Sequence, residues 1–361
     1  MSALRKIVLL IFMTLLIAAC QPIATMQPPA QMADSQAAPA PAAPASMPDL
    51  GTLQVAYVPV IGFAPFFVAA DKGYFAEQGL TVELLAVRNV DEMLAPLSTG
   101  KVDMTMMSVT TGFLNAMNLK MDFRIVSGVG DPTAPANDAT FLVVSKALAD
   151  SGEVATVSDL KGRKIAINLR GSGLEYLLYK GLDQAGLTLN DVELVTIPGR
   201  EMLIALQNGA VDGAVAGGLN IEQMIGQGVA TPLLATADVV ANGDAGGLVF
   251  GQRLLDPANR EVGIRILTAY LKAARYLNDG GWADPEVTAS IQTYTGMEPA
   301  LIAQTPVSVY AADGTVDEVG TLDMQAFQLS QGYVEFTETI PLAQMVDLSM
   351  LSEALARLDQ E

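Results

Sequence analysis

The sequence has 361 residues, with 39 Asp and Glu against 20 Lys and Arg, no histidine and a single cysteine. The net charge of −19 excludes the basic footprint that nucleic-acid binding requires. The lack of histidine removes the usual general base of hydrolases and nearly every zinc or iron site, and one cysteine cannot form an intramolecular disulfide. We therefore expect no catalytic residue, no metal and no cofactor.

The N-terminus has the pattern of an export signal. Residues 1–19 begin with the basic pair Arg5-Lys6 and continue as an apolar run up to Cys20. This run is too short to span a bilayer comfortably, which takes ~20 residues. Small residues precede Cys20, as in a bacterial lipobox. We interpret residues 1–19 as a lipoprotein signal peptide and Cys20 as the lipidated residue, which predicts an extracytoplasmic protein held to the cell membrane by its lipid. The alternative is ordinary signal cleavage with Cys20 as a bystander.

The next segment is a linker. Residues 20–50 consist largely of Pro, Ala and Gln and show no apolar periodicity. Such a composition predicts a semi-extended tether, which would hold a folded region away from a surface.

A pattern at residues 79–103 recurs at residues 186–212. Each copy has a β-rich run, a short helical pattern, a glycine suited to a helix C-terminus (Gly100 and Gly209) and the start of a new strand. This order describes a strand–helix–strand unit whose strands pair in parallel through a right-handed crossover. Two such units far apart in the chain predict two similar lobes with a cleft between them.

Taken in order, the folded region alternates strands with helices, which predicts an α/β fold with mainly parallel sheets. Strands are predicted at 53–59, 102–108, 123–128, 141–145, 165–168 and 246–251, and helices at 66–75, 111–118, 174–182, 260–279, 285–295, 322–332 and 348–358.

We predict that the first lobe comprises residues 51–142 and 249–361, and that the second comprises 143–248. The apolar strands at 141–145 and 246–251 are expected to form the two crossings between the lobes, where closure would act as a hinge. The four late helical patterns are assigned to the outer face of the first lobe.

Four motifs in this order resemble those of one protein family. They read ADKGYFAEQGLTVE at 70–83, LSTGKVD at 97–103, DLKGRKIA at 159–166 and ALQNGAVDGA at 205–214. Together they resemble the extracytoplasmic solute-binding proteins of ABC importers for nitrate, sulfonates, taurine and thiamine-pyrimidine precursors. The resemblance covers about residues 53 to 350.

The resemblance implies a two-lobed type II periplasmic-binding fold with two crossovers, closing as a monomer on a small molecule and delivering it to membrane permease subunits. One departure concerns the second lobe. Relatives commonly carry an acidic-Pro or aromatic-bearing pair after its last strand, where this sequence has Gly-Gly-Leu-Asn at 217–220. The ligand of any one relative is therefore not transferred to this chain.

Candidate ligand-binding residues follow from the rule that ligands bind beyond the carboxyl ends of strands, where helices begin. Each candidate also has a purely structural interpretation: the hydroxyls could only cap a helix, the arginine could be solvated, and the aromatic rings could be core. The predicted ligand-binding residues are Phe63, Phe66, Ser108, Thr110, Thr111, Arg170, Gly171, Ser172 and Asn220.

These residues suggest two classes of ligand. Arg170, Ser172 and the hydroxyl loop favour an oxyanion such as a sulfonate or nitrate, bound at helix starts. Phe63 and Phe66 suit a planar heteroaromatic molecule, which is the second choice. The predicted function is a substrate-binding lipoprotein of an ABC importer. The alternatives are a ligand sensor that docks on a receptor, and a pyrimidine-precursor enzyme on the same scaffold, which the lack of histidine disfavours.

Overall fold

The computed structural model describes residues 48–134, 140–217, 219–235, 239, 245–305 and 308–360. The predicted signal peptide, Cys20 and the linker as far as residue 47 lie outside the described residues. Those that are described belong to one compact unit. Within them, no helix combines the length and the apolar character needed to cross a membrane.

Ten strands of the described residues form two five-stranded sheets. The strands are β1 (Leu53–Tyr57), β2 (Val82–Ala86), β3 (Met104–Ser108), β4 (Phe123–Ser127), β5 (Thr140–Ser145), β6 (Lys164–Ile167), β7 (Glu193–Thr196), β8 (Gly213–Gly217), β9 (Ala230–Ala235) and β10 (Gly246–Gly251). Their orders are β2-β1-β3-β10-β4 and β7-β6-β8-β5-β9. In the first sheet β1 lies between two parallel neighbours, as β6 does in the second. Antiparallel β10 and β5 hold the equivalent fourth positions, so the two lobes share one topology.

The two copies of the sequence pattern have the same local structure. Gly100 and Gly209 both have positive φ, of 70° and 65°. In the first lobe Asp103 Oδ2 accepts a hydrogen bond of 2.7 Å from the backbone N–H of Gln54, at the start of the neighbouring strand. In the second lobe Asp212 Oδ2 accepts one of 2.8 Å from the backbone N–H of Lys164. The aspartate that ends each copy therefore fixes the start of one parallel strand against the next.

The crossings between the sheets lie earlier in the chain than predicted. All of β5 belongs to the second sheet and all of β10 to the first. The chain therefore changes sheets between residues 127 and 140 and again between 235 and 246, before each of these strands. Each strand is apolar because it is central in its sheet: β5 lies between β8 and β9, and β10 between β3 and β4. Burial explains the apolar runs at 141–145 and 246–251.

Most predicted helices occur, with some shifted ends. The predicted helix at 66–75 is broken near Gly73, which adopts φ +78°. The described helices are α1 (Ala64–Asp71), α2 (Tyr74–Glu77), α3 (Leu94–Ser98), α4 (Thr111–Asn118), α5 (Lys146–Ser151), α6 (Gly173–Gln184), α7 (Gly199–Gln207), α8 (Leu219–Gly226), α9 (Gln252–Leu255), α10 (Arg260–Asn278), α11 (Pro285–Thr295), α12 (Pro299–Ile302), α13 (Glu318–Ser330), α14 (Leu342–Met345) and α15 (Leu351–Leu358).

Helix α13 does not lie on the outer face of the first lobe, where it was predicted. It packs on α6 of the second lobe, with the Phe327 ring 5.5 Å from that of Tyr176 and 5.0 Å from that of Tyr179. Asp323 accepts hydrogen bonds from the Tyr176 hydroxyl at 2.9 Å and from Lys180 Nζ at 3.0 Å. The amphipathic pattern of α13 identified a buried face correctly. It could not identify the partner, because many apolar surfaces satisfy the same pattern.

An ion-pair cluster joins α10 to α15 on the first lobe. Glu261 accepts hydrogen bonds from both terminal nitrogens of Arg357, at 2.9 and 2.8 Å, and from Arg265 Nε at 2.7 Å. The hydrogen bonds from Arg357 are the main cause that lowers the pKa of Glu261 to about 2. A carboxyl with a lowered pKa stabilises the folded state above its unfolded pKa, and this contribution is lost as the pH falls through the folded value.

We predict that Glu261→Gln lowers the free energy of unfolding by about 1–2 kcal/mol at neutral pH, the scale of a charge-assisted hydrogen bond. The difference from wild type should shrink as the pH falls from about 5 towards 2. Urea denaturation across this range measures it. Glu298→Gln, at an exposed position, is the matched control and should have little effect. A loss in Glu261→Gln that did not depend on pH would contradict the assignment.

Candidate ligand-binding site

A cavity of about 140 Å³ lies at the carboxyl end of β3, where the loop after β1 enters α1. This is where open α/β sheets bind ligands. It is lined by Phe63, Met106, Met107, Ser108, Val129 and Gly247, most of which are apolar.

Two larger surface grooves lie away from these strand ends. One, of about 350 Å³, is lined mainly by residues 48–53 and 79–81, and the other, of about 320 Å³, lies between α1 and α11. We assign the site to the smaller cavity because, of the three, it is the one lined by predicted ligand-binding residues, Phe63 and Ser108.

The two predicted aromatic residues have different positions. Phe63 ends a short 3-10 helix, lines the cavity and retains 9% of its surface exposed. Phe66 is fully buried one turn later, with its ring 6.0 Å from that of Phe63 and 5.9 Å from that of Tyr270. The Phe63 ring can thus contact a ligand in the cavity, whereas the Phe66 ring packs behind Phe63 in the core.

The three predicted hydroxyls follow β3. Ser108 is exposed and lines the cavity. Thr110 caps α4 by accepting a hydrogen bond of 3.1 Å from a backbone N–H of the first turn, and its hydroxyl donates to Asp91 Oδ1 at 2.8 Å. Thr111 donates to Gln328 Oε1 at 2.6 Å. The hydroxyls of Thr110 and Thr111 therefore already donate hydrogen bonds within the protein.

Asp91 was not predicted from the sequence as a site residue. It belongs to the 3-10 helix Val90–Met93, and its carboxylate lies against the first turn of α4. A Cβ atom on Gly112 would stand 2.8 Å from Asp91 Oδ2, so glycine at this position makes room for the carboxylate. Partial burial raises the pKa of Asp91, and the hydrogen bond from Thr110 acts against that shift.

In the second lobe the predicted arginine faces a buried carboxylate. Arg170 Nη1 donates to Glu175 Oε1 at 2.8 Å, while the Arg170 side chain remains 45% exposed. Glu175 itself is fully buried and also accepts hydrogen bonds from the Gly171 backbone N–H at 2.6 Å and the Tyr333 hydroxyl at 2.7 Å. The positive charge of the loop is thus paired with a negative charge of the protein.

Two other predicted residues also have partners inside the second lobe. Ser172 caps α6, accepting a hydrogen bond of 3.3 Å from the backbone N–H of Glu175 and donating to the Leu169 carbonyl at 2.7 Å. The Asn220 amide lies against Gly199, where α7 begins. Ser172 therefore belongs to the Arg170 loop, and Asn220 lies where α8 meets α7.

Gln328 joins the two lobes. Its side chain is fully buried; Oε1 accepts from Thr111 of the first lobe, and Nε2 donates to the Gly171 carbonyl of the second lobe at 2.6 Å. Thr111 and Gly171, both predicted site residues, are thereby brought together. Sequence reasoning missed Glu175 and Gln328, because nothing local marks a polar residue on an amphipathic helix as buried. It also missed Tyr333, which lies after α13 and whose partner Glu175 is distant in sequence.

The two lobes approach closely at Gly171, so we expect a side chain at this position to destabilise the protein. Gly171 has φ +71°, and an added Cβ would overlap the Thr111 hydroxyl and stand 3.1 Å from Gln328 Oε1. Gly171→Ala should therefore lower the free energy of unfolding by about 2–4 kcal/mol, the sum of a left-handed backbone penalty and overpacking. Chemical denaturation of the purified protein measures this.

Gly162→Ala is the matched control, since Gly162 has φ +74° but no atom within 4 Å of its added Cβ. It should cost only the backbone penalty, about 1–2 kcal/mol. Equal losses in the two variants would contradict a tight contact between the lobes at Gly171.

Comparison with known proteins places the chain in a family. Residues 46–291 match the NMT1-like family. The riboflavin-binding protein RibY of Chloroflexus aurantiacus is 30% identical over 256 residues, which cover 71% of this chain and 69% of that protein. The nitrate import ATP-binding protein NrtC of Synechococcus elongatus is 27% identical over 237 residues, but this chain spans only 35% of its length.

Solved structures establish the fold. The aliphatic sulphonate binding protein SsuA of Escherichia coli has a TM-score of 0.67 at 17% identity, covering 82% of this chain and 92% of that one. The nitrate-binding protein NrtA of Synechocystis has a TM-score of 0.66 at 14% identity, covering 87% and 91%. A desulfurization enzyme, DSZB, has a TM-score of 0.61 at 17% identity, covering 85% and 99%.

The neighbours SsuA and NrtA are periplasmic binding proteins. The predicted two-lobed α/β fold is confirmed, with its two five-stranded sheets. The family match covers well over half of the chain and agrees with the four motifs. The chain therefore belongs to the NMT1-like family.

Proposed function

We propose that this protein is the solute-binding receptor of an ABC importer, and that it captures an uncharged planar heteroaromatic molecule between its two lobes. The observation that carries the choice of ligand is the mainly apolar lining, with one aromatic residue, of the cavity at the carboxyl end of β3. Apolar cavities of about 150 Å³ bind benzene, so a cavity of about 140 Å³ accepts one ring of a larger ligand.

The hydrogen-bonding state of the predicted donors supports the same ligand class. Thr110 and Thr111 donate within the protein, and Arg170 is paired with a fully buried carboxylate. An oxyanion needs free donors to replace its water shell, whereas a neutral ring needs mainly contact area. We therefore favour the heteroaromatic ligand, which was the second choice from the sequence, over an oxyanion.

The relative RibY, 30% identical, is named for binding riboflavin. Riboflavin contains a planar heteroaromatic ring system, which agrees with the ligand class inferred from the cavity. Flavins and smaller pyrimidine rings are therefore the first molecules to test.

Cys20 follows an apolar run that is typical of an exported lipoprotein, and the neighbours SsuA and NrtA are periplasmic. We propose an extracytoplasmic monomer anchored through a lipid on Cys20, which presents its ligand to permease subunits in the membrane.

The fold alone does not decide between binding and catalysis, since DSZB is an enzyme of the same fold. The sequence favours binding: it contains no histidine, and its single cysteine is placed at the proposed lipidation site. The sequence thus lacks a histidine base and offers no cysteine nucleophile in the folded lobes.

We predict that the protein lacking residues 1–20 binds riboflavin, lumichrome or a substituted pyrimidine with saturable affinity, and that Phe63→Leu weakens this binding about 2- to 13-fold. The range corresponds to the 0.5–1.5 kcal/mol of an aromatic contact beyond its area. Leucine preserves much of the cavity wall, so the effect should come from losing the ring face. Isothermal titration calorimetry measures both affinities.

Phe336→Leu is the control, because Phe336 is partly buried and lies outside the cavity lining. It should leave the affinity unchanged. Binding of taurine, nitrate or ethanesulfonate by the wild-type protein, with none of the heteroaromatic compounds bound, would overturn the proposed ligand class.

A further inference from the structure

Two residues that line the proposed ligand cavity are connected through one distant segment of the chain, residues 309–311. Phe63 lies just before α1, and Val129 lies just after β4. Residues 309–311 lie much later, between α12 and α13. This segment hydrogen-bonds both to the backbone of Val129 and to the backbone beside Phe63. The positions of the two lining residues are therefore coupled.

The contact with Val129 is a short piece of antiparallel pairing. The backbone N–H of Ala311 donates to the Val129 carbonyl at 2.8 Å, and that of Asp131 donates to the Val309 carbonyl at 3.0 Å. An antiparallel bridge made by Tyr310 lies between these two bonds. The backbone of Val129 is thus fixed against Tyr310 and its neighbours at the point where the chain leaves β4.

The contact beside Phe63 is made by the Tyr310 side chain. Its hydroxyl donates to the carbonyl of Gly62, which precedes Phe63 in the same 3-10 helix, at 3.3 Å. Among the described residues, no side chain caps this helix. The hydrogen bond from Tyr310 is therefore a restraint that the helix does not receive from its own residues.

Tyr310 is itself held from two sides and is only 1% exposed. The side chain of Asn278, at the end of α10, accepts from the Tyr310 backbone N–H at 3.0 Å and donates to its carbonyl at 2.9 Å. The Trp282 ring stacks on the Tyr310 ring, with centroids 6.2 Å apart and planes inclined by 19°. A residue fixed at both backbone and ring can hold its neighbours in place, as a preorganised site requires.

We propose that Tyr310 is a positioning residue of the ligand cavity, which holds Phe63 and Val129 where an uncharged planar ring can contact them. This inference rests on the proposed function and deepens it. Ordering a loop and its aromatic side chain during binding costs affinity, so a ring face that is fixed beforehand strengthens binding without any new contact with the ligand.

The first test is a double-mutant cycle with Phe63→Leu, measured by isothermal titration calorimetry with lumichrome. Tyr310→Phe removes the hydroxyl but keeps the ring that stacks on Trp282. It should weaken lumichrome binding about 2- to 10-fold, the scale of one hydrogen bond. Because the hydroxyl acts through Phe63, adding Tyr310→Phe to Phe63→Leu should cause little further loss. Fully additive losses would overturn the proposal.

The second test needs no ligand. Hydrogen exchange of the backbone amides of residues 60–66, followed by mass spectrometry, should be faster in Tyr310→Phe, because the Gly62 carbonyl loses its restraint. Tyr294→Phe is the matched control, since the Tyr294 hydroxyl donates to Asp71 Oδ1 at 2.8 Å and lies outside the cavity lining. The control should change neither the exchange at 60–66 nor the lumichrome affinity.

Exchange at residues 60–66 that stayed at the wild-type rate in Tyr310→Phe would also overturn the proposal, as would an equal loss of affinity in Tyr294→Phe. Circular dichroism shows whether each variant is folded. If the wild-type protein bound none of the neutral rings, the proposed ligand class would fail. The exchange measurement would still decide whether Tyr310 holds Phe63 in place.

Discussion

A buried amide, the side chain of Gln328, hydrogen-bonds to both lobes. Gln328 accepts from Thr111 of the first lobe and donates to the Gly171 carbonyl of the second, and its side chain is fully buried. A buried amide that lost either partner would leave an unsatisfied polar group, at a cost of about 1–3 kcal/mol. The relative position of α4, α13 and the Arg170 loop is therefore tightly restrained. The close approach of Gly171 to Thr111 follows from this restraint.

The aromatic packing of α13 gives this amide its rigid support. Phe327 contacts the rings of Tyr176 and Tyr179 on α6, and Asp323 pairs with Lys180. Tyr333, just after α13, donates to the buried Glu175. The second lobe therefore contacts α13 through two aromatic rings and an ion pair, and the first lobe contacts it at Thr111. A C-terminal segment thus completes the cleft that the duplicated units begin.

The sequence predicted the features that depend on local pattern. Apolar runs identified the strands, and the repeated glycine and aspartate identified two equivalent units, in which Asp103 and Asp212 make equivalent hydrogen bonds. The partner of α13 and the position of the crossings depend on which surfaces meet, and periodicity does not encode this. The predicted hydroxyl loop and Arg170 lie where strands end, but their hydrogen-bond partners come from distant segments. Asp91, 19 residues from Thr110, carries no local signal at all.

The charge balance of the cleft follows from these distant partners. An arginine and two helix starts, considered alone, favour an anion, and each is matched by a carboxylate placed by the fold. An anion entering such a cleft would lose its water shell, at a cost of several kcal/mol, and would find the hydroxyls of Thr110 and Thr111 already donating within the protein. A neutral ring, as proposed, would lose little hydration and would contact Phe63. The pairing of Arg170 with Glu175 is therefore consistent with the uncharged planar ligand proposed for this protein.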